Sequence, residues 1–429
     1  MSKDSFGLAS GWKLSKLEAI GTALLISTFI LLPIGRTVEI PTVLMAVWGL
    51  LLLVREGIGA AWRRPDIRVF SVLFLLYWGP MVISLFGAYD FSNSAFFCLK
   101  YLRFVFAGYF VLYLITARKI KTLVLSALSV VVGSWLLDSL YQWWAGIDLF
   151  GRTYDGNRLL GPFKHLIMPI FLSVFLPLVL IYTKIKWPRY LFWMLFGSSL
   201  WILFLAGSRA SWMVLLFGGL LYSIYVFVRL EKKPFISMVL VIIGAIGIGI
   251  AGYHYESGFK GRIDRTIMAF SHDYKSIDLA SSHRLPIWET AFNMALDNPL
   301  VGVGVKGFHG SYSRYAKPDD PFKDGGATHP HMFFLEVLTE TGLVGFVSML
   351  VALGLIFRLG IGNLKRWSPL QAGAAATLAI TFFPLNTHVS LYGSIYSQVA
   401  WLMAAVSLAW IYDPDETVKS NKRLSVFNR

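Results

Sequence analysis

"LAGSRASWMVLL", residues 205–216, carries a single arginine, Arg209, and no other charged side chain occurs between Leu191 and Val228. Read as one helix, that apolar stretch would be about 57 Å long at about 1.5 Å per residue, nearly twice the roughly 30 Å of hydrocarbon in a bilayer. It must double back. The midpoint falls on Gly207 and Ser208, small residues that permit a tight turn, so the pattern predicts a helical hairpin with Arg209 at its apex. Ser208 is placed to cap the second helix, expected to begin near Ala210. An arginine beside the free N–H groups of a helix start makes an anion site; an arginine snorkelling to the interface is the plainer alternative.

Working outward, the 429 residues are 56% hydrophobic, 16% aromatic and only 15% charged, with a mean hydropathy of +0.62, far more apolar surface than one soluble core needs. Stretches of about 20 apolar residues recur at 17–35, 38–54, 69–88, 95–116, 122–145, 166–183, 189–206, 210–229, 234–252, 333–357, 370–387 and 393–412. The expected fold class is an all-α integral membrane protein of about twelve transmembrane helices. Its organisation would be one membrane domain: residues 1–252 with the first nine helices, a large helical outer loop over 253–332, and residues 333–429 with the last three helices and a tail. The first apolar stretch is long enough to stay as a helix rather than act as a cleaved signal.

The net charge of +15 does not indicate nucleic acid, because the basic residues fall in short clusters between spans and form no continuous face. They read as topology signals. With the N-terminus inside, the inner segments hold 23 Lys and Arg, and the short outer loops hold five: Arg36, Arg152, Arg158, Lys164 and Arg209. Both termini are therefore expected in the cytoplasm. All eight histidines (His165, His254, His272, His283, His309, His329, His331, His388) fall in outer segments, which suits an extracytoplasmic site with a histidine base. The one cysteine, Cys98, excludes an intrachain disulfide and reads as a small buried hydrophobe.

Three outer stretches bring charge toward the hairpin apex. "GNRLLGPFKHL" (156–166) places Arg158 and Lys164 before the sixth span, with a turn at Gly161 and Pro162. "SSHRLPIWETAFNMALDNPL" (281–300) reads as a short amphipathic helix with Pro286 in its first turn and Asn298-Pro299 ending it. Ile287, Trp288, Ala291, Phe292 and Ala295 would form its apolar face, and Arg284 stands at its start. "THPHMFFLEVLTETGLVG" (328–345) carries His329 and His331 to the mouth of the tenth span, with Glu336 and Glu340 placed to orient an arginine or a histidine. Inside the membrane, Lys100 and Arg103 in "CLKYLRF" (98–104) share one helical face, and charges at that depth face a cavity or a partner. Asp138 is the candidate partner, and a groove admitting a lipid phosphate is the alternative.

Other patterns lead nowhere. "GVGVKG" (302–307) imitates a dinucleotide fingerprint without the strand–helix unit that gives it meaning, so it reads as a glycine turn. Asp319 and Asp320 read as solvated. With no P-loop and no Cys/His cluster, no metal and no cofactor are expected.

"GSRASW", "RLPIWETAFNMALDNPLVGVGVKGF" and "HPHMFFLEVLTETGLVG" together resemble the bacterial O-antigen ligase and polymerase family, most closely its ligases. The resemblance centres on residues 150–350. It departs at Met332, where the family often has asparagine, and at Lys164-His165, where small or amide residues are usual. What the resemblance implies is a GT-C-like glycosyltransferase in the bacterial inner membrane. Its site would face the periplasm, its donor would be a glycan on undecaprenyl pyrophosphate, and its acceptor a sugar hydroxyl of lipid A core. The transfer would be metal-independent and inverting. By motif, Arg209 and Arg284 would be the functional arginines and His331 the base. Arg158, Lys100, Arg103, Trp288 and His329 are further candidates for substrate contact. O-antigen polymerases and protein O-oligosaccharyltransferases share the motifs. A lipid or anion transporter is the alternative from another class, though no inverted repeat supports it.

Overall fold

The computed structural model describes residues 14–154, 156, 158–230, 253–254, 257–387 and 389–416. Among them, helices α1 (Lys16–Leu31) and α2 (Glu39–Glu56) are followed by a short α3 (Ile58–Arg63), then α4 (Pro65–Ile83), α5 (Phe91–Leu114), α6 (Arg118–Ala145), α7 (Met168–Lys186), α8 (Arg189–Ala206) and α9 (Arg209–Leu230). Four shorter helices come next: α10 (Ser257–Ile267), α11 (Tyr274–Ser281), α12 (Leu285–Asp297) and α13 (Gly307–Tyr315). The chain then returns through α14 (Phe333–Ile361), α15 (Pro369–Thr381) and α16 (Ser394–Ile411). The described residues contain no strand, only an isolated bridge between Ile147 and Thr153. They include nine runs long and apolar enough to cross a membrane, the first being Lys16–Glu56, which contains both α1 and α2. The protein is an all-helical, multi-pass membrane protein.

Eleven of the twelve expected spans coincide with helices; the stretch 234–252 lies outside the described residues. The run Lys16–Glu56 breaks at Gly35 (φ 77°) within a 3-10 turn, Leu32–Val38, and α1 packs on α2. α7 and α16 are apolar and buried around most of their circumference, as helices at the centre of a bundle must be. Trp401 of α16 anchors this centre. Its ring meets Phe70, Phe74, Tyr77 and Phe382 edge-on or tilted, and its indole N–H donates to the Tyr101 hydroxyl at 2.9 Å. Cys98 is buried, as expected.

Two departures from regular helix shape one end of the bundle. The eleventh span, expected over 370–387, is helical only to Thr381; the chain then runs irregularly to Gly393. Non-helical backbone buried against a bundle needs partners for its N–H and C=O groups. Here the Phe333 and Phe334 amides donate to the carbonyls of Asn386 (3.3 Å) and Pro384 (3.2 Å). The second departure is a break in α14 at Gly342 (φ 63°, ψ −162°). The loop after α12 inserts there: the amides of Leu343 and Val344 donate to the carbonyls of Pro299 (2.8 Å) and Leu300 (3.2 Å), and the Thr339 carbonyl accepts from the Val303 amide (3.0 Å). A Cβ on Gly342 would lie 2.3 Å from the Leu300 oxygen, so the positive φ and the close approach both demand glycine. "GVGVKG" is therefore a turn, and it locks the outer helices to α14. Those helices have a small core of their own, built from Ile287, Ala291 and Met294 of α12, Phe308 and Tyr312 of α13, and Leu335 of α14.

Candidate active site

The hairpin predicted around Arg209 is present. Gly207 (φ 61°) ends α8 in the left-handed conformation, Ser208 Oγ accepts from the Ser211 amide at 3.3 Å, and Arg209 is the first residue of α9. Its guanidinium reaches across to the outer helices. Nη1 donates to the Ala280 carbonyl (2.6 Å) and Thr266 Oγ1 (3.3 Å), and Nη2 donates to Ser282 Oγ (2.7 Å). Arg209 thus ties the ends of α10 and α11 to the hairpin apex.

Arg284 follows two residues after Ser282 and precedes α12, its amide donating to Ser281 Oγ at 3.2 Å. Burial, with the like charges of Arg209 and Arg158 in reach, pushes its guanidinium down to about 10. Burial is the larger cause, and the neighbouring guanidinium groups add to it. Arg158 itself is exposed, its segment pinned by the buried side chains of Leu159 and Phe163. Among the described residues, neither Arg209 nor Arg284 belongs to an ion pair.

Trp288, one turn beyond Arg284, donates its indole N–H to the Pro330 carbonyl at 3.0 Å. That bond fixes the segment between the two candidate histidines, whose rings lie 3.9 Å apart, centroid to centroid. His331 has φ 54°, and Ser282 (64°) and His283 (59°) share the left-handed region. Among the described residues, three of the four non-glycine residues with positive φ thus lie in the two segments that carry Arg284 and His331. Such strain persists only where surrounding contacts hold it, and it concentrates at functional sites.

Residues 191–350 match the family model described as O-antigen ligase. Over that stretch the chain is similar to the O-antigen ligase family, whose members are glycosyltransferase-like enzymes. None of the curated proteins compared with it matches. The matched stretch runs from α8 into α14, so Arg209, Arg284, Trp288, His329 and His331 lie inside it, and Lys100, Arg103 and Arg158 lie outside.

Several expectations about this stretch and its surroundings need correction. Asp138 does not pair with Lys100 and Arg103. It accepts instead from the Leu149 amide at 2.9 Å, holding the turn after α6. The partner is Glu39 at the start of α2, 3.9 Å from Lys100 Nζ and 3.6 Å from Arg103 Nη2, with Ser394 bridging Glu39 and Arg103. Glu336 and Glu340 orient neither an arginine nor a histidine. Buried Glu336 accepts from the Ser390 hydroxyl and from the Leu391 amide (2.7 Å), and Glu340 accepts from the Lys306 amide (2.9 Å); each carboxylate secures one irregular loop to α14. Asp320 is not merely solvated, since it accepts from Tyr312 Oη (2.9 Å) and Thr290 Oγ1 (3.1 Å). Phe292 is not on the buried face of α12, which Ile287, Ala291, Met294 and Ala295 form; its side chain is exposed.

Two cations escaped the sequence reading. A Cβ on Gly207 would lie 2.1 Å from Arg262 Cζ, so the Arg262 guanidinium rests against the hairpin turn. Arg265 lies within electrostatic reach of Arg209. Their signal was the spacing of three on a short helix, Arg262 and Arg265 sharing one face of α10.

Proposed function

We propose that the protein is an O-antigen ligase, which transfers a polysaccharide from undecaprenyl pyrophosphate to a sugar hydroxyl of lipid A core at the periplasmic face of the bacterial inner membrane, both termini being cytoplasmic. The observation that carries this reading is the gathering of Arg158, Arg209 and Arg284, from three separate segments, within reach of one another's charge on the face where Trp288 holds the histidine pair.

The chemistry asks for that arrangement. Transfer breaks the anomeric C–O bond to the diphosphate, and the electron pair departs with the phosphate oxygens. Guanidinium groups already in place stabilise the emerging charge better than water does, because they need not reorganise. Arg209 and Arg284 are assigned this role, with Arg158 assisting at the exposed side. On the opposite face of the sugar, His331 takes the proton of the acceptor hydroxyl as its oxygen forms the new C–O bond, inverting the anomeric centre. His329, tilted against it, supports the ring. Lys100 and Arg103, held by Glu39, would lie along the path of the lipid substrates. No nucleotide, cofactor or metal takes part in this scheme.

Purified protein mixed with lipid-linked glycan and lipid A core should yield a slower-migrating acceptor on a gel, and His331→Ala should not. Joining of two lipid-linked glycans, with the acceptor untouched, would make the enzyme a polymerase. Movement of the lipid across a vesicle without covalent change would make it a transporter.

A further inference from the structure

α12 keeps two exposed flanks of opposite character. Once Ile287, Ala291 and Met294 are buried, Phe292 and Leu296 remain 54% and 62% exposed along one flank. Further round the helix, Asp297 is exposed, next to half-buried Asn293 and to Glu289, which pairs with Lys317 at 2.9 Å. Leu300, just past the helix end, is 66% exposed. A water-soluble surface seldom leaves such a stripe uncovered.

The apolar flank does not stop at α12. The Pro299 and Leu300 carbonyls accept from the amides of Leu343 and Val344, and from there the exposed side chains of Leu343, Val347 and Leu350 continue down α14. That surface belongs to a membrane-crossing helix, so lipid must cover it. From Leu343 to Ile361 the helix rises about 29 Å at about 1.5 Å per residue, which matches the roughly 30 Å hydrocarbon layer. The break at Gly342 therefore falls at one edge of that layer, and α12 is docked at the break. Phe86, 90% exposed, stands at the same level: a Cβ on its neighbour Gly87 would lie 2.6 Å from the Gly302 oxygen.

We propose that Phe292, Leu296 and Leu300 are immersed in the lipid leaflet while Glu289, Asn293 and Asp297 stay in water, so that α12 lies along the membrane boundary and fixes Arg284 at the level of the lipid phosphates. Helices with one apolar and one polar flank lie in this way. The occupant of the flank is the acyl region of the bilayer, because the flank continues without interruption from a surface that lipid already covers. The immersion stands independently of the transfer reaction. Its consequence rests on the ligase reading: a diphosphate carried by a lipid meets Arg284 without being lifted out of its leaflet.

Spin labels report this directly. In full-length protein with Cys98→Ala, reconstituted in phosphatidylethanolamine–phosphatidylglycerol nanodiscs, labels at Leu296→Cys and Leu300→Cys should collide with oxygen several-fold more than with a water-soluble nickel chelate. A label at Asp297→Cys should show the reverse. Leu300 lies outside the helix, so its label reads the same depth even if Leu296→Cys disturbs α12. Chelate reaching 296 and 300 as readily as 297 would overturn the proposal by placing the flank in water. Protection from both reagents would overturn it by showing the flank covered by protein, such as a second copy of the chain.

Discussion

Two groups of cations at opposite ends of the bundle are held in opposite ways. At the end where α6 starts and α16 finishes, cations meet carboxylates. Lys121 and Asp413 are both 5% exposed and lie 3.0 Å apart, Arg118 reaches Glu416 at 3.2 Å, and Lys119 reaches Glu18 at 3.4 Å. Arg64, just before α4, and Asp66 in its first turn pair at 2.7 Å. At the end where α9 starts, the Arg209 guanidinium meets two hydroxyls and a carbonyl, and the half-buried Arg284 guanidinium lies within reach of the like charges of Arg209 and Arg158. Neutralised cations hold helices together. Cations gathered beside cations cost the fold stability, and an anion that arrives among them removes the cost.

That contrast predicts opposite outcomes for the same substitution made at each end. Arg209→Ala or Arg284→Ala should lower transfer at least about 100-fold; Arg284→Ala should leave the melting temperature of the purified protein where it was or slightly higher, and Arg209→Ala, which also loses three hydrogen bonds to α10 and α11, should lower it only modestly. Lys121→Ala strands a buried Asp413 and should cost about 3–5 kcal/mol, seen as a lower melting temperature, with activity per folded molecule preserved. If Arg284→Ala melts early and the lysine variant loses turnover, the two ends have been misread.

A subtler substitution sharpens the same comparison. The folded chain holds the Arg284 proton less tightly than the unfolded chain would, so the charged form costs stability at neutral pH, and the cost fades only as pH climbs through about 10. The parent therefore keeps its charge across the neutral range. Lysine starts lower, near about 10.4 in free solution, and the same burial and neighbours would depress it further. Arg284→Lys should therefore be active near pH 7 and lose activity as pH rises toward 9, while the parent holds. Parallel pH profiles would mean that Arg284 is not surrounded by charge during turnover.

The smallest effect belongs to the hairpin itself. Ser208→Ala removes the cap on α9 and should cost about 1 kcal/mol, read as a modest drop in melting temperature with a proportionate loss of transfer.

Much of the architecture was legible because it follows from length. A 38-residue apolar stretch cannot cross a bilayer once, so the hairpin and the position of Arg209 followed from arithmetic. Pro286 and Asn298-Pro299 likewise marked the limits of α12. What was not legible depends on partners distant in sequence. Nothing near Lys100 points to Glu39, some sixty residues earlier. Nothing in "LEVLTETG" states that Glu336 and Glu340 hold loops from two other parts of the chain. The early end of α15 was hidden for the same reason: 370–387 is apolar enough for a span, and only the contacts with α14 make an irregular backbone affordable there. Phe292 was misassigned because periodicity separates apolar from polar faces and does not separate a buried apolar face from an exposed one.

The most direct test is the affinity for undecaprenyl pyrophosphate of protein held in nanodiscs, measured for the parent, Arg209→Ala, Arg284→Ala and Lys121→Ala. If the arginine end grips the diphosphate, the two arginine variants bind at least about tenfold more weakly, a loss of about 1.4 kcal/mol or more, and the lysine variant binds as the parent does. Equal affinities across all four would contradict it.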